Sequence, residues 1–200
     1  MNLTVNTDWK ENDLPTEEAL YFNIYRKQEF SLFKKELFKL KNEIFFHKQT
    51  AIFLCIGSDR ATGDCFGPLV GEALLHAREK KARLFQSPKV YGTLDKPIHA
   101  INLENTIRQI YHRYQNPYVF AIDASLGIKN HIGFITLGAG PLFPGIGVKK
   151  ELPEIGDAAI TGIVNENNDK GQHTLQTTRL SVVYHLANFV SRGIIECFFV

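Results

Sequence analysis

The stretch Ile52-Phe-Leu-Cys-Ile-Gly57-Ser-Asp-Arg-Ala-Thr-Gly63-Asp64-Cys-Phe-Gly67-Pro68 decides how this chain folds. Ala51 to Ile56 is short, apolar and terminated by glycine, the pattern of a strand buried on both faces. The glycine-rich loop that follows delivers a carboxylate, Asp64, just before a helix opens. Pro68 fits the first helical position, and Leu69, Val70, Ala73, Leu74 and Ala77 form an inward face. Farther along, Tyr118-Val-Phe-Ala-Ile-Asp123-Ala repeats the arrangement, an apolar run ending in one aspartate. Two acids at the ends of two buried strands point to a paired-carboxylate site.

Working outward, residues 1–28 are expected to be partly extended, and 29–48 to form a long helix. Phe30, Phe33, Leu37, Leu40 and Ile44 recur three and four apart on one face. Leu32, Phe38, Phe45 and Phe46 are expected to widen that buried stripe, so that the helix packs on a sheet. Lys89 to Leu94 reads as a strand. Leu103, Ile107, Ile110, Tyr111 and Tyr114 mark another amphipathic helix, followed by the strand that ends at Asp123. Ile132 to Leu137 and Ala158 to Val164 read as strands. Between them Gly138 to Gly147 is too punctuated by Gly and Pro for regular structure. A last helix carries Val182, Val183, Leu186, Phe189 and Val190, with Ile194 to Val200 able to close the sheet. Strands alternating with helices imply right-handed crossovers in an α/β fold, a mostly parallel sheet covered on both faces. The expected organisation is one domain, with residues 50–200 as its core.

The whole-chain numbers exclude more than they select. At 200 residues, 44% hydrophobic and 22% charged, the chain can bury a full core. A net charge of +2, with its basic excess spread through the middle, gives no nucleic-acid footprint. Three cysteines without close spacing form neither a zinc set nor a disulfide framework and fit a reducing compartment. Met1 to Pro15 resembles neither a secretory signal nor a transit peptide, and no apolar run approaches the roughly 20 residues that span a bilayer. A cytoplasmic protein with no membrane or nucleic-acid partner is expected.

In an open α/β sheet the site lies beyond the carboxyl ends of the strands, where strand order switches. If Asp64 and Asp123 meet there, like charge raises the pKa of one carboxyl and lets the pair share a proton for attack by water. The helix dipole near Asp64 favours its ionised form, making Asp64 the expected base and Asp123 the proton carrier. The structural alternative is that each acid simply caps a helix or turn. Cys65 beside Asp64 reads as a small buried cysteine before it reads as a nucleophile. Gly57 to Gly63 lacks the Lys and Ser/Thr of a phosphate loop, which argues against nucleotide binding of that type.

Taken together, the Ile56–Pro68 segment, Ala121-Ile-Asp123-Ala124 and Gly140-Pro-Leu-Phe-Pro-Gly145-Ile-Gly-Val-Lys-Lys150 resemble the germination protease of spore-forming bacteria. More distantly the chain is similar to the hydrogenase maturation proteases. The nearest likeness is to a small uncharacterised sporulation protein family related to the germination protease, and it covers about residues 50 to 195. The resemblance implies a three-layer α/β/α sandwich of the phosphorylase/hydrolase-like type with Asp64 and Asp123 as its functional pair. In the hydrogenase relatives the matching acids contact the nickel of the substrate protein. The germination-type motif is the closer one, so neither a resident metal nor an organic cofactor is expected.

Substrate-binding candidates are Gly63, Gly140, Gly145 and Lys149 from the two loops, and His173 at a loop-to-helix junction. The leading expectation is an aspartic-type peptidase of sporulation or germination acting on a specific protein or peptide. The alternatives are a silent relative that binds a peptide in the same pocket, and a small-molecule hydrolase. Self-association into a homo-oligomer is left open.

Overall fold

The computed structural model describes residues 19–80, 88–143, 154–168 and 170–199. In chain order the elements are β1 (Leu20–Asn23), α1 (Lys27–Phe46), β2 (Thr50–Cys55), α2 (Phe66–Lys80), β3 (Lys89–Tyr91), α3 (Leu103–Arg113), β4 (Pro117–Gly127), β5 (Phe134–Ala139), β6 (Ala158–Glu166), α4 (Gly171–Gln176) and α5 (Leu180–Phe198). The six strands form one sheet in the order β1-β5-β6-β4-β2-β3. Strands β2, β3, β4 and β6 pair parallel, whereas β5 is antiparallel to both β6 and β1.

The strand order has a switch between β2 and β4. From β2 the chain steps outward to β3, then returns to lay β4 on the opposite side of β2. The two crossovers lie on opposite faces, as the side chains require. Phe53, Cys55, Phe120 and Ile122 alternate to one face and pack with Val70 and Leu74 of α2, Leu37 of α1, and Leu186 and Val190 of α5. Ile52, Leu54, Val119 and Ala121 point the other way, against Leu103 and Ile110 of α3 and against Leu142 and Ile155. Both faces of the central strands are apolar because both are covered, giving the expected three layers.

Several expectations are corrected. In α1 the stripe of Phe33, Leu37 and Ile44 is buried, with Phe30 and Leu40 packed beside it, but Leu32, Phe38, Phe45 and Phe46 are 49%, 53%, 72% and 80% exposed. At 100° per residue these four fall outside the arc that α5 and the sheet cover. Ile194 to Phe198 are not a strand but the last turns of α5, where Phe198 sets its ring edge-on to Phe53 and Phe120. The three-to-four spacing of Val190, Ile194, Cys197 and Phe198 carries the helix on. The strand from Lys89 stops at Tyr91. Finally, β4 does not end at Asp123 but runs on to Gly127, held by β6 through a register shift between Ser125 and Leu126.

Candidate functional site

The loop after β2 is shaped by what cannot stand in it. Gly57 has φ +129°, and a Cβ there would strike the carbonyl oxygen of Asp64. A Cβ at Gly67 would strike the carbonyl of Ile56, so the start of α2 rests directly on the end of β2. Between these glycines a 3₁₀ turn, Gly63–Cys65, leads into α2 and carries Asp64. Leu175 of α4 packs against Gly63 from outside, and the Cys65 thiol donates weakly to the Ala61 carbonyl at 3.5 Å. The acid therefore sits on a turn fixed on three sides.

Asp123 is placed by the sheet itself. The Ile56 N–H donates to the Ile122 carbonyl at 2.7 Å, the last bond between the β2 segment and β4, while the Gly57 N–H turns to the Ile98 carbonyl at 2.7 Å. One residue past that point, Asp123 stands beside β4's open side, and its Oδ1 accepts the Ala124 N–H at 2.8 Å. Burial pushes the Asp123 carboxyl well above the usual carboxylate range, the nearby charge of Asp64 pushes it further, and the Ala124 amide opposes both. Burial also raises Asp64. The helix start thus does not leave Asp64 with the freely ionised carboxylate that its dipole alone would favour, because desolvation works against it. Burial alone raises Asp64, whereas the neighbouring charge adds to the shift of Asp123. Both residues keep partial solvent contact.

Sequence reasoning missed a set of hydroxyls beside this pair. Thr161 of β6 is the register partner of Asp123, and its Oγ1 lies 2.7 Å from Thr136 Oγ1 and 3.3 Å from Ser125 Oγ. Ser125 follows Asp123 by two residues, so the two share a face of β4. The period-2 pattern of Asp123 and Ser125 was a readable signal, but the pairing of β4 with β6 was not. Asn165 ties β6 to α4 by donating to the Thr174 carbonyl at 3.3 Å and to Thr178 Oγ1 at 3.2 Å.

A family model described as "Protein of unknown function (DUF1256)" matches residues 22–193. The chain belongs to that family. A relative, "Uncharacterized protein YyaC" of Bacillus subtilis (strain 168), is 44% identical over 143 residues, which are 72% of this chain and 67% of that protein. Among solved structures, the [NiFe] hydrogenase maturation protease HycI from Thermococcus kodakarensis KOD1 is similar at 15% identity and a TM-score of 0.42. That likeness covers 73% of this chain and 92% of that one. At that identity and score it speaks to neither residues nor activity.

On this DUF1256 chain the other candidates separate. Gly63 stands next to Asp64 in the fixed turn. Gly140 lies at the opposite end of the sheet. Because β5 is antiparallel, its carboxyl end meets the amino end of β6, and the Gly140 N–H donates to the Asp157 carbonyl at 2.9 Å. Gly145 and Lys149 lie outside the described residues. His173 is exposed on α4, and among the described residues no hydrogen bond or ion pair joins its ring to either acid. Burial and the charges of Asp59 and Asp64 raise the Cys65 thiol, which favours the protonated sulfur over a nucleophile. Among the described residues no three His, Cys, Asp or Glu side chains gather as metal ligands. No helix among them is long and apolar enough to cross a membrane.

Proposed function

We propose that the chain is a peptidase that hydrolyses a peptide bond in a specific protein with Asp64 and Asp123 as its acid pair. The observation that carries this reading is the nearness of the two carboxyls, with the Asp64 charge raising a half-buried Asp123. They stand where β2 and β4 part at the switch in strand order, the usual place for a site in such sheets. The resemblance to the germination protease supplies the substrate class and the setting, sporulation or germination.

The chemistry follows from the unequal causes of the two shifts. Asp64, as the base, takes a proton from water as the water oxygen bonds to the scissile carbonyl carbon. Asp123, protonated, gives its proton to the carbonyl oxygen. When the resulting diol collapses, Asp64 passes its proton to the departing amine nitrogen and Asp123 recovers one from a diol hydroxyl, restoring the starting pair.

The test is incubation of the full chain with spore lysate, followed by mass spectrometry of new peptide termini, beside Asp64→Asn and Asp123→Asn. New termini that vanish in both variants support the pair. Termini that persist in both remove these acids from the mechanism. No new termini in any sample favours the silent peptide-binding alternative.

A further inference from the structure

β2 leaves the sheet at Cys55 while β4 runs on to Gly127, so β4 has no strand partner on its β2 side from Ala124 onward. Backbone groups alternate sides along a strand. The Ile122 carbonyl accepts from Ile56 on the β2 side, and the Gly127 carbonyl accepts from the Asn167 N–H on the β6 side. Ala124 and Leu126 therefore turn their amides and carbonyls into the vacated lane. The Ala124 N–H is taken by Asp123 Oδ1, so that carboxyl leans into the lane at its inner end. Among the described residues, no loop, turn or side chain bonds the Ala124 carbonyl or the Leu126 amide and carbonyl. Both residues are half-buried, and Ile128 at the lane's outer end is exposed.

Half-buried backbone groups in a fold take partners. Acceptor, donor, acceptor along one strand edge matches an extended peptide backbone. In a parallel pair, one residue gives its N–H to the carbonyl of residue i and accepts the N–H of residue i+2. A single peptide residue thus satisfies the Ala124 carbonyl and the Leu126 amide, in the place a longer β2 would have filled, and the residue two further on gives its N–H to the Leu126 carbonyl.

We propose that this lane is a peptide track, in which a substrate segment adds to β4 as a short parallel strand on Ala124 and Leu126. Neighbouring strands lie about 4.8 Å apart, so the bond just N-terminal to the anchored residue comes to lie beside Asp123. Recognition is then through main chain on the carboxyl side of the scissile bond, with little demand on side-chain identity at that residue. The proposal deepens the peptidase reading and rests on it for the choice of occupant.

The probe is a mixture of synthetic octapeptides of randomised sequence, added to the ¹⁵N-labelled full chain, with oligoproline as a control that offers no N–H. The expected result is a shifted Leu126 amide whose hydrogen exchange slows about tenfold with the mixture and not with oligoproline. Leu126→Pro removes that donor without touching the β6 ladder, and should weaken binding about tenfold while Leu126→Ala does not. Should Leu126→Pro fail to fold by circular dichroism, the amide exchange decides alone. An unaffected Leu126 amide overturns the track, even if the mixture is cleaved and the peptidase reading stands. A protected Leu126 amide without any cleavage upholds the track and overturns the peptidase reading.

Discussion

β4 meets two aspartates, one near its amino end and one past its middle, and the two are used in opposite ways. At its amino end Asp157 accepts the Val119 N–H on Oδ2 at 2.8 Å, while its own N–H donates to the Val119 carbonyl at 2.8 Å. That carboxylate is exposed and finishes the ladder. Toward the carboxyl end Asp123 receives one amide, from its own neighbour, and stands half-buried beside the charge of Asp64. The residue type is the same; what differs is whether the sheet consumes the carboxylate's bonding capacity or leaves it in a cleft. Ordinary structural demands are met at one end, and bonding capacity is left over toward the other.

The largest effect expected of this contrast is on cleavage. Asp123→Asn and Asp64→Asn should each lower the rate of new-terminus formation about 100-fold or more, the scale of a lost general acid or base, whereas Asp157→Asn should leave it near wild type. Equal losses at Asp157 and Asp123 would break the comparison. Next comes the turn that holds Asp64. Gly57→Ala forces a side chain into φ +129° and against the Asp64 carbonyl, and should cost about 2 kcal/mol or more in urea unfolding.

The smaller effects differ in sign. Asp157→Ala strips the Val119 amide of its acceptor and should destabilise the fold by about 1 kcal/mol. Asp123→Asn should instead stabilise it at neutral pH. The folded pKa of Asp123 lies above its ordinary value of 3.8, so the wild type loses stability as pH rises from the unfolded value to the folded one. The variant's advantage should be absent below about pH 4 and full above the folded pKa. A constant advantage at all pH values in thermal unfolding would contradict a half-buried ionisable Asp123.

Much of this was legible from local pattern. The Gly-terminated run at Ala51 and the spacing around Phe33 and Val70 reported their own burial, and the helix start near Pro68 was encoded in a few adjacent residues. What was not legible depends on partners far away in sequence. Phe45 and Phe46 are as apolar as Phe33 but lie at other angles of α1, and how wide an arc is covered depends on where the sheet and α5 sit. Gly140 belongs to a loop rich in turn residues, yet the antiparallel direction of β5 carries it to the wrong end of the sheet. Thr161 lies beside Asp123 through a strand pairing across 38 residues, and single hydroxyls in a strand announce nothing by themselves. The two acids stood out in the sequence because each follows a strongly apolar run. Their electrostatic contact came only from β2 and β4 being neighbours.

The most direct test of the paired site needs no substrate: titration of the Asp123 side-chain carboxyl by ¹³C NMR in the wild type and in Asp64→Asn. The expected result is an Asp123 pKa well above the ordinary carboxylate value in the wild type that falls when Asp64 loses its charge, while remaining raised by burial. An Asp123 that titrates as an ordinary carboxylate, or whose raised pKa is indifferent to Asp64→Asn, would contradict the pair.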